Sequence, residues 1–376
     1  MDKTMIGRAA LVAGALCLGP AAAGAETYLA ANYLPDGSPN GRFLNDWTRR
    51  IAEKTGGEVD FEVYNGGSLL PAAGSLSGLQ SHVADLVLLT GSLTPSDLPM
   101  DNVLSDTAFL SDDQMVLAFA TLETKMTHPA MREEYREANI VYGAGMAIGL
   151  YNFMCAVPIE TLADLEGRRV RTTTGAHINW VTELGGVSVN VPAPDIYPGM
   201  QRKSLDCLVG TPLFLTEYFS LSEVTDSVLR LDMGSIDTGG FFYNGDFWAS
   251  LDPDERRAAM DAAAEAQAAI YVDWAERTEA AFQAVRDEGG TLVEPTAEDV
   301  ARFAEYQARY LEELPETSAE RYGIDAPGDL IDAYIAAQEK WAGLLSEIDR
   351  TDVEAVTALI KREIFDTVDV ETYGLD

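Results

Sequence analysis

The chain has 376 residues, 61 acidic against 26 basic, for a formal charge of −35. That excess argues against nucleic acid and anionic membrane surfaces as partners. With 47% hydrophobic and 9% aromatic residues the chain can bury proper cores, so the charge does not signify disorder. Its length suggests two domains, or one large one.

The N-terminus reads as a processing signal. Lys3 and Arg8 form a basic region, Ala9 to Ala22 a short apolar stretch, and Ala23-Gly24-Ala25 a small-residue cleavage site, leaving Glu26 first in the mature chain. The apolar run is too short to span a bilayer. Cys17 follows the bulky Leu16, which argues against a lipid anchor. The expectation is an exported, soluble protein cleaved after Ala25 and working in the periplasm. Cys155 and Cys207 then remain. An oxidising compartment permits a disulfide between them, and free buried thiols fit the sequence equally.

In chain order, Thr27 to Tyr33 alternates as a strand, and the turn-rich residues 35–41 form a loop. Phe43 to Thr55 is an amphipathic helix ended by Gly56-Gly57. Val59 to Tyr64 is a second strand, Leu76 to His82 a helix, and Ala84 to Leu89 a buried strand. Alternating strands and helices imply a mostly parallel sheet, so the loops at 35–41, 65–70 and 90–95 should share a cleft. Helices at 111–137 precede Ile140 to Cys155, one long or two short strands. A second, smaller alternation covers 151–235, and Phe241 to Asn244 returns to the first block. Asp252, Pro253 and Glu255 open the longest expected helix, 253–288, ended by Gly289-Gly290. At about 1.5 Å per residue it reaches about 54 Å, enough to lie across both domains. The remainder, 297–376, is acidic helix broken at Pro315 and Pro327.

The stretch Gly167 to Gly175 carries the main chemical suggestion. A basic strand, Arg168-Arg169-Val170-Arg171, runs into Thr172-Thr173-Thr174-Gly175 and a helix. A helix N-terminus offers free N–H groups to an anion, and an arginine at the strand end adds a planar fork suited to a carboxylate. A surface basic cluster balancing an acidic protein fits the same residues. Catalytic machinery is missing from the sequence. There is no Gly-x-Ser-x-Gly elbow or Walker loop, and His82, His128 and His177 lack metal-ligand spacing.

Taken in order, these features resemble the solute-binding proteins of tripartite ATP-independent periplasmic (TRAP) transporters, the DctP-type family. Leu162-Ala163-Asp164-Leu165-Glu166-Gly167-Arg168-Arg169-Val170-Arg171 is similar to the family's L-x-D-L-x-G-x-K-I-R strand. Asn244-Gly245-Asp246-Phe247-Trp248-Ala249-Ser250-Leu251 is similar to its N-x-x-F-W-x-S-L. Glu183 to Gly186, Asp195-Ile196-Tyr197, Met200-Gln201, Leu205-Asp206 and Lys54 to Gly57 also fit, as does Asn65 to Leu69.

The resemblance implies an α/β fold of two domains, about 26–150 (completed by 236–250 and C-terminal helices) and 151–235. These close on a small organic anion for delivery to membrane permease subunits. It implies a monomer, no cofactor and no enzyme activity. Arg171 falls on the family's carboxylate-binding arginine, with backbone N–H groups after it and Thr173, Thr174, His177 and Trp180 as candidate helpers. Asn40, Asn65, Ser92, Asn152, Phe153, Phe214 and Asn244 are cleft candidates from loop position. A second family arginine would fall at Leu150, and an asparagine at Gly210. With two usual anion contacts missing, the expected ligand is a monocarboxylate with a neutral, apolar or aromatic body. Cys155 and Cys207 are expected near one another on the second domain's side of the cleft. Rival readings are a receptor of an ATP-driven importer, against which the long helix counts, and an exported sensor or enzyme.

Overall fold

The computed structural model describes residues 27–375 apart from 108, 235 and 326; the expected leader lies outside them. The first strand, β1 (Thr27–Ala31), leads to α1 (Pro39–Lys54). This helix starts earlier than its apolar stripe suggests. Ser38 accepts from the Gly41 N–H at 3.2 Å and Pro39 fits the first turn, so Asn40 belongs to the helix rather than to the loop. Next come β2 (Asp60–Tyr64), α2 (Ser75–Gln80) and β3 (Leu86–Leu89), then α3 (Pro99–Asp106), α4 (Gln114–Thr127) and α5 (Pro129–Glu137).

Residues 140–155 resolve into β4 (Ile140–Ile148) and β5 (Asn152–Cys155), which enter different sheets. The second block continues with β6 (Arg169–Arg171), α6 (Gly175–Glu183), β7 (Val187–Val189), α7 (Ile196–Gln201), β8 (Cys207–Gly210) and β9 (Ser227–Leu229). The chain returns through β10 (Ile236–Asn244) and α8 (Gly245–Ser250). It ends with α9 (Pro253–Val272), α10 (Trp274–Asp287), β11 (Thr291–Val293), α11 (Ala297–Tyr322), α12 (Gly328–Ser346) and α13 (Val353–Glu363).

Two sheets result. The first has the order β2-β1-β3-β10-β4, parallel except for β10, which runs antiparallel to both neighbours. The second has the order β11-β9-β5-β8-β6-β7. On it Cys155 and Cys207 face each other across the antiparallel β5–β8 pair and are joined as a disulfide.

The chain crosses between the sheets at 149–151 and again at 230–234. The two crossings pair with each other: the Tyr151 N–H donates to the Gly234 carbonyl and the Met233 N–H to the Tyr151 carbonyl, each at 2.9 Å. Asn152 ties the same place together, its amide donating to the Leu231 carbonyl and to Asp232, both at 3.1 Å.

The expected single helix over 253–288 is two helices, interrupted at Asp273. The halves pack on different sheets: α9 lies on α1 and α13, α10 on the 212–215 turn and β11. The Tyr271 hydroxyl accepts from the Ala147 N–H at 2.8 Å, and a Cβ at Gly149 would lie 2.7 Å from the Trp274 indole nitrogen. Two rings therefore pin the interruption against the first crossing.

Among the described residues the longest unbroken helix is instead α11, 26 residues with Pro315 inside it. Proline removes one backbone bond and normally kinks or ends a helix. Here both flanks are held to Asp106, whose carbonyl accepts from the Tyr310 hydroxyl at 3.1 Å and whose carboxylate accepts from Arg321 at 2.8 Å and Tyr322 at 2.7 Å. Among the described residues no helix is long and apolar enough to cross a membrane, and no cluster of three or more His, Cys, Asp or Glu side chains is arranged to hold a metal.

Candidate functional site

Strand alternation sets the chemistry of β6. Val170 is buried in the core while Arg169 and Arg171 share the opposite face, each partly exposed. Their fates differ. Arg169 forms a two-point pair with Asp206, Nε and Nη2 each 2.8 Å from a carboxylate oxygen. Arg171 reaches only the Val191 carbonyl, 3.3 Å from Nε, and among the described residues no carboxylate pairs with it. Burial pulls its guanidinium below the ordinary value, and the nearby phenols of Tyr151 and Tyr33 act against this without reversing it. It stays charged, since an arginine begins far above neutral pH.

The phenols themselves are neutral. Burial raises both, for Tyr33 against a hydrogen bond to the Thr90 hydroxyl. Tyr33 and Thr90 come from the ends of β1 and β3 and so bring two of the expected cleft loops together. His177 stacks on Tyr151 at 5.2 Å and meets Phe109 edge-on at 5.2 Å. Burial lowers its pKa to about 4, so it is an uncharged ring near neutral pH. Phe214 continues the aromatic row, 6.4 Å from Tyr151 and 5.3 Å from Tyr218. The Tyr218 hydroxyl then donates to Asn40 Oδ1 at 2.8 Å.

The two domains are drawn together around this row. Asn40 and Tyr218 bond from opposite sides. Glu217 receives Arg42 of α1 at 2.7 Å and Arg277 of α10 at 2.9 Å. Asp106 of α3 accepts from the Gly175 N–H at 3.2 Å. That last contact corrects one sequence expectation. The N-terminus of α6 is not open to a ligand anion, because Asp106 already occupies it. A Cβ on Gly175 would lie 1.6 Å from Arg321, so the same spot admits only glycine while that guanidinium is in place.

Other candidates also have different surroundings from those expected. Trp180 is buried against Phe303 and Tyr306 of α11, at 5.4 and 4.7 Å, a ring cluster joined to His177 through Phe109. Asn244 caps α8, accepting the Phe247 N–H and donating to the Leu79 carbonyl. Asn152 fastens the crossings, and Phe153 is core in β5. Asn65 belongs to a polar knot with Asn32 and Asp36, at 3.0 and 2.7 Å. Thr174 caps α6 and bonds His177 Nδ1 at 2.8 Å. Ser92 is exposed in the turn after β3, and Thr173 is partly exposed beside Arg171. The row therefore gathers Arg171, His177, Phe214 and Asn40 from the sequence candidates. Tyr33, Thr90 and Tyr218 were missed; a tyrosine just past a strand end was the one signal available.

At Gly210, where the resemblance places an asparagine, a Cβ would lie 2.5 Å from the Phe214 ring. The space of a polar side chain is filled by an aromatic one.

Two α/β domains joined by the paired crossings at 149–151 and 230–234 and by the α9–α10 segment, with a partly buried arginine at a strand end, have the form of a two-domain solute-binding protein. The chain matches the DctP family, the bacterial extracellular solute-binding proteins of family 7, over residues 30–317, and it belongs to that family, the TRAP type. A curated relative from Chromohalobacter salexigens, named a solute-binding protein, is 24% identical over 306 residues, 78% of this chain and 87% of that one. Among solved structures, a marine metagenome TRAP solute-binding protein in complex with metahydroxyphenylacetate is similar with a TM-score of 0.73 and 18% identity, covering 84% of this chain and 99% of the other. A Bordetella pertussis extracytoplasmic solute receptor binding pyroglutamic acid gives 0.71 and 17%, covering 82% and 99%. These structures are alike in fold. Membership makes this chain a binding protein, not an enzyme, and sets aside the receptor class of ATP-driven importers.

Proposed function

We propose that the chain is the periplasmic receptor of a TRAP transporter for a small monocarboxylate with a neutral, partly aromatic or cyclic body, handed on to membrane permease subunits. The observation that carries this is Arg171, a partly buried cation with no carboxylate partner among the described residues of a chain with 61 acids, two residues from an arginine fully paired with Asp206. A ligand carboxylate supplies the missing charge, with the phenols of Tyr33 and Tyr151 beside it. Around it the groups are uncharged: a neutral His177, Phe214 over Gly210, and Tyr218. A second carboxylate would be buried unpaired, at a cost of several kcal/mol. The similar structures bound to metahydroxyphenylacetate and pyroglutamate hold ligands of this kind. The leader reading supports export with cleavage after Ala25, and the mature protein is taken to work as a monomer.

A thermal-shift screen tests the proposal by comparing succinate and malate with aromatic, cyclic and hydroxy monocarboxylates. Monocarboxylates should stabilise, Arg171→Ala should remove the effect, and Arg171→Lys should restore only part, lacking the planar fork. Clear stabilisation by succinate or malate, or full binding by the alanine variant, overturns it. Scattering with a bound monocarboxylate should also give a smaller radius of gyration than without.

A further inference from the structure

Asn40 is 1% exposed, yet its amide is only half used. Oδ1 accepts the Tyr218 hydroxyl at 2.8 Å, while Nδ2 has no hydrogen-bond partner. Buried polar atoms without partners occur elsewhere in the molecule, at Trp180 and Gln338 among others. Asn40 is set apart from Trp180 and Gln338 because its bond joins the two domains, as the Arg42–Glu217 pair also does, and because it stands at the far end of the aromatic row that begins beside Arg171.

The amide is also held in place. Ser38 donates to the Pro35 carbonyl and accepts from the Gly41 N–H, closing the loop over the first turn of α1. A Cβ at Gly41 would lie 2.3 Å from the Asp36 carbonyl oxygen, so the backbone next to Asn40 is packed as tightly as glycine permits. The tyrosine hydroxyl fixes which way the amide faces, because Oδ1 takes its proton and Nδ2 is left as a donor. Across the row, Thr211 is fully buried with its hydroxyl also unpartnered, and its carbonyl accepts the Phe214 N–H at 3.0 Å. A preset buried donor is a specificity element, since a ligand lacking the matching acceptor leaves it unpaired.

We propose that Asn40, oriented by Tyr218, selects a carboxylate that carries a hydroxyl or carbonyl oxygen on its body, remote from the carboxyl group. This rests on the Arg171 reading: the arginine takes the carboxylate, the rings take the body, and the Asn40 amide takes the second oxygen. Arg171 is then the general anchor and Asn40 the residue that chooses among monocarboxylates.

The test compares each stabilising carboxylate with its analogue bearing hydrogen in place of that oxygen. Two such pairs are 3-hydroxyphenylacetate with phenylacetate, and 4-oxocyclohexanecarboxylate with cyclohexanecarboxylate. Kd is measured by calorimetry for the wild type, Asn40→Leu and Tyr218→Phe. The wild type should prefer the oxygenated member of at least one pair by about tenfold, the worth of one buried hydrogen bond. Asn40→Leu should lose that preference and bind the two members of the pair with equal affinity. Tyr218→Phe, which keeps the ring and removes the orienting hydroxyl, should lose part of it, and it serves alone if Asn40→Leu does not fold. Equal affinity of the wild type for both members of every pair, or an undiminished preference in the variants, overturns the proposal and leaves the Arg171 reading standing. If no carboxylate binds at all, both fall together.

Discussion

Two cations in this molecule, one fully and one partly buried, are treated in opposite ways. Lys125 of α4 is fully buried beneath the first sheet, and the protein completes it from within. Asp101 stands 2.7 Å away and is itself 1% exposed, and the Tyr135 hydroxyl donates to the same carboxylate at 2.7 Å. Nearby Glu134 accepts the Met100 and Asp101 N–H groups at 2.6 and 3.0 Å, and burial with the Asp101 charge raises its pKa to about 8. Arg171, between the domains, has a carbonyl and two neutral phenols but no acid among the described residues. A buried charge with its partner built in serves the architecture. One lacking its partner is suited to receive it from outside, because taking a lone charge out of water is costly and a ligand anion removes that cost.

The contrast is tested most sharply by removing each cation. Lys125→Met leaves Asp101 buried and unpaired, and should lower unfolding stability by about 3–5 kcal/mol. Arg171→Ala should leave ligand-free stability within about 1 kcal/mol of the wild type, because no partner is stranded. Denaturant titration of both reads the difference. Equal losses would make Arg171 a structural residue and break the comparison.

The two regions should also respond to pH with opposite sign. His177 is held at about 4 in the fold, below its ordinary 6.5. The unfolded chain therefore takes up its proton first, and stability falls as pH drops from 6.5 toward 4. Glu134 is held at about 8, above its ordinary 4.5. Its contribution is full below 4.5 and is lost as pH rises through 8. Each arm has a slope of at most about 1.4 kcal/mol per pH unit. His177→Gln should flatten the acid arm and Glu134→Gln the alkaline one, in melting curves at several pH values. Unchanged arms in both variants would remove these groups from the account.

The smallest effect is expected at the contact that draws the domains together around Arg171. Glu217 is shared by Arg42 and Arg277, both partly exposed, so each pair is worth about 0.2–1 kcal/mol. Glu217→Gln should weaken monocarboxylate binding by a few fold through easier opening, with little change in the unfolding midpoint. A Kd equal to wild type would show that closure does not depend on it.

Much of the frame was legible because it is local. Period-2 alternation placed Arg169 and Arg171 on one face of a strand, and the Asp252-Pro253-Glu255 cap started a helix where expected, with the capping box formed. These signals act within a few residues of their cause, so the sequence carries them whole. The early start of α1 was equally local, in Ser38 and Pro39, but an apolar stripe beginning at Phe43 concealed it. What the sequence by itself determined is thus a set of elements, a family and an arginine at a strand end.

Only the tertiary structure decided which arginine is spoken for. Arg169 finds Asp206 thirty-seven positions away, and nothing near Arg171 in sequence shows that no acid reaches it. Asp106 closes the N-terminus of α6 from 69 positions away, α11 takes Trp180 into its packing, and the expected single helix is interrupted at Asp273 with its halves packed on different partners. Tyr218 meets Asn40 across 178 positions. Partners of this kind are chosen by which surfaces the folded chain brings into contact. Hydrophobic periodicity fixes a side chain's face, but its partner depends on the position of every other element.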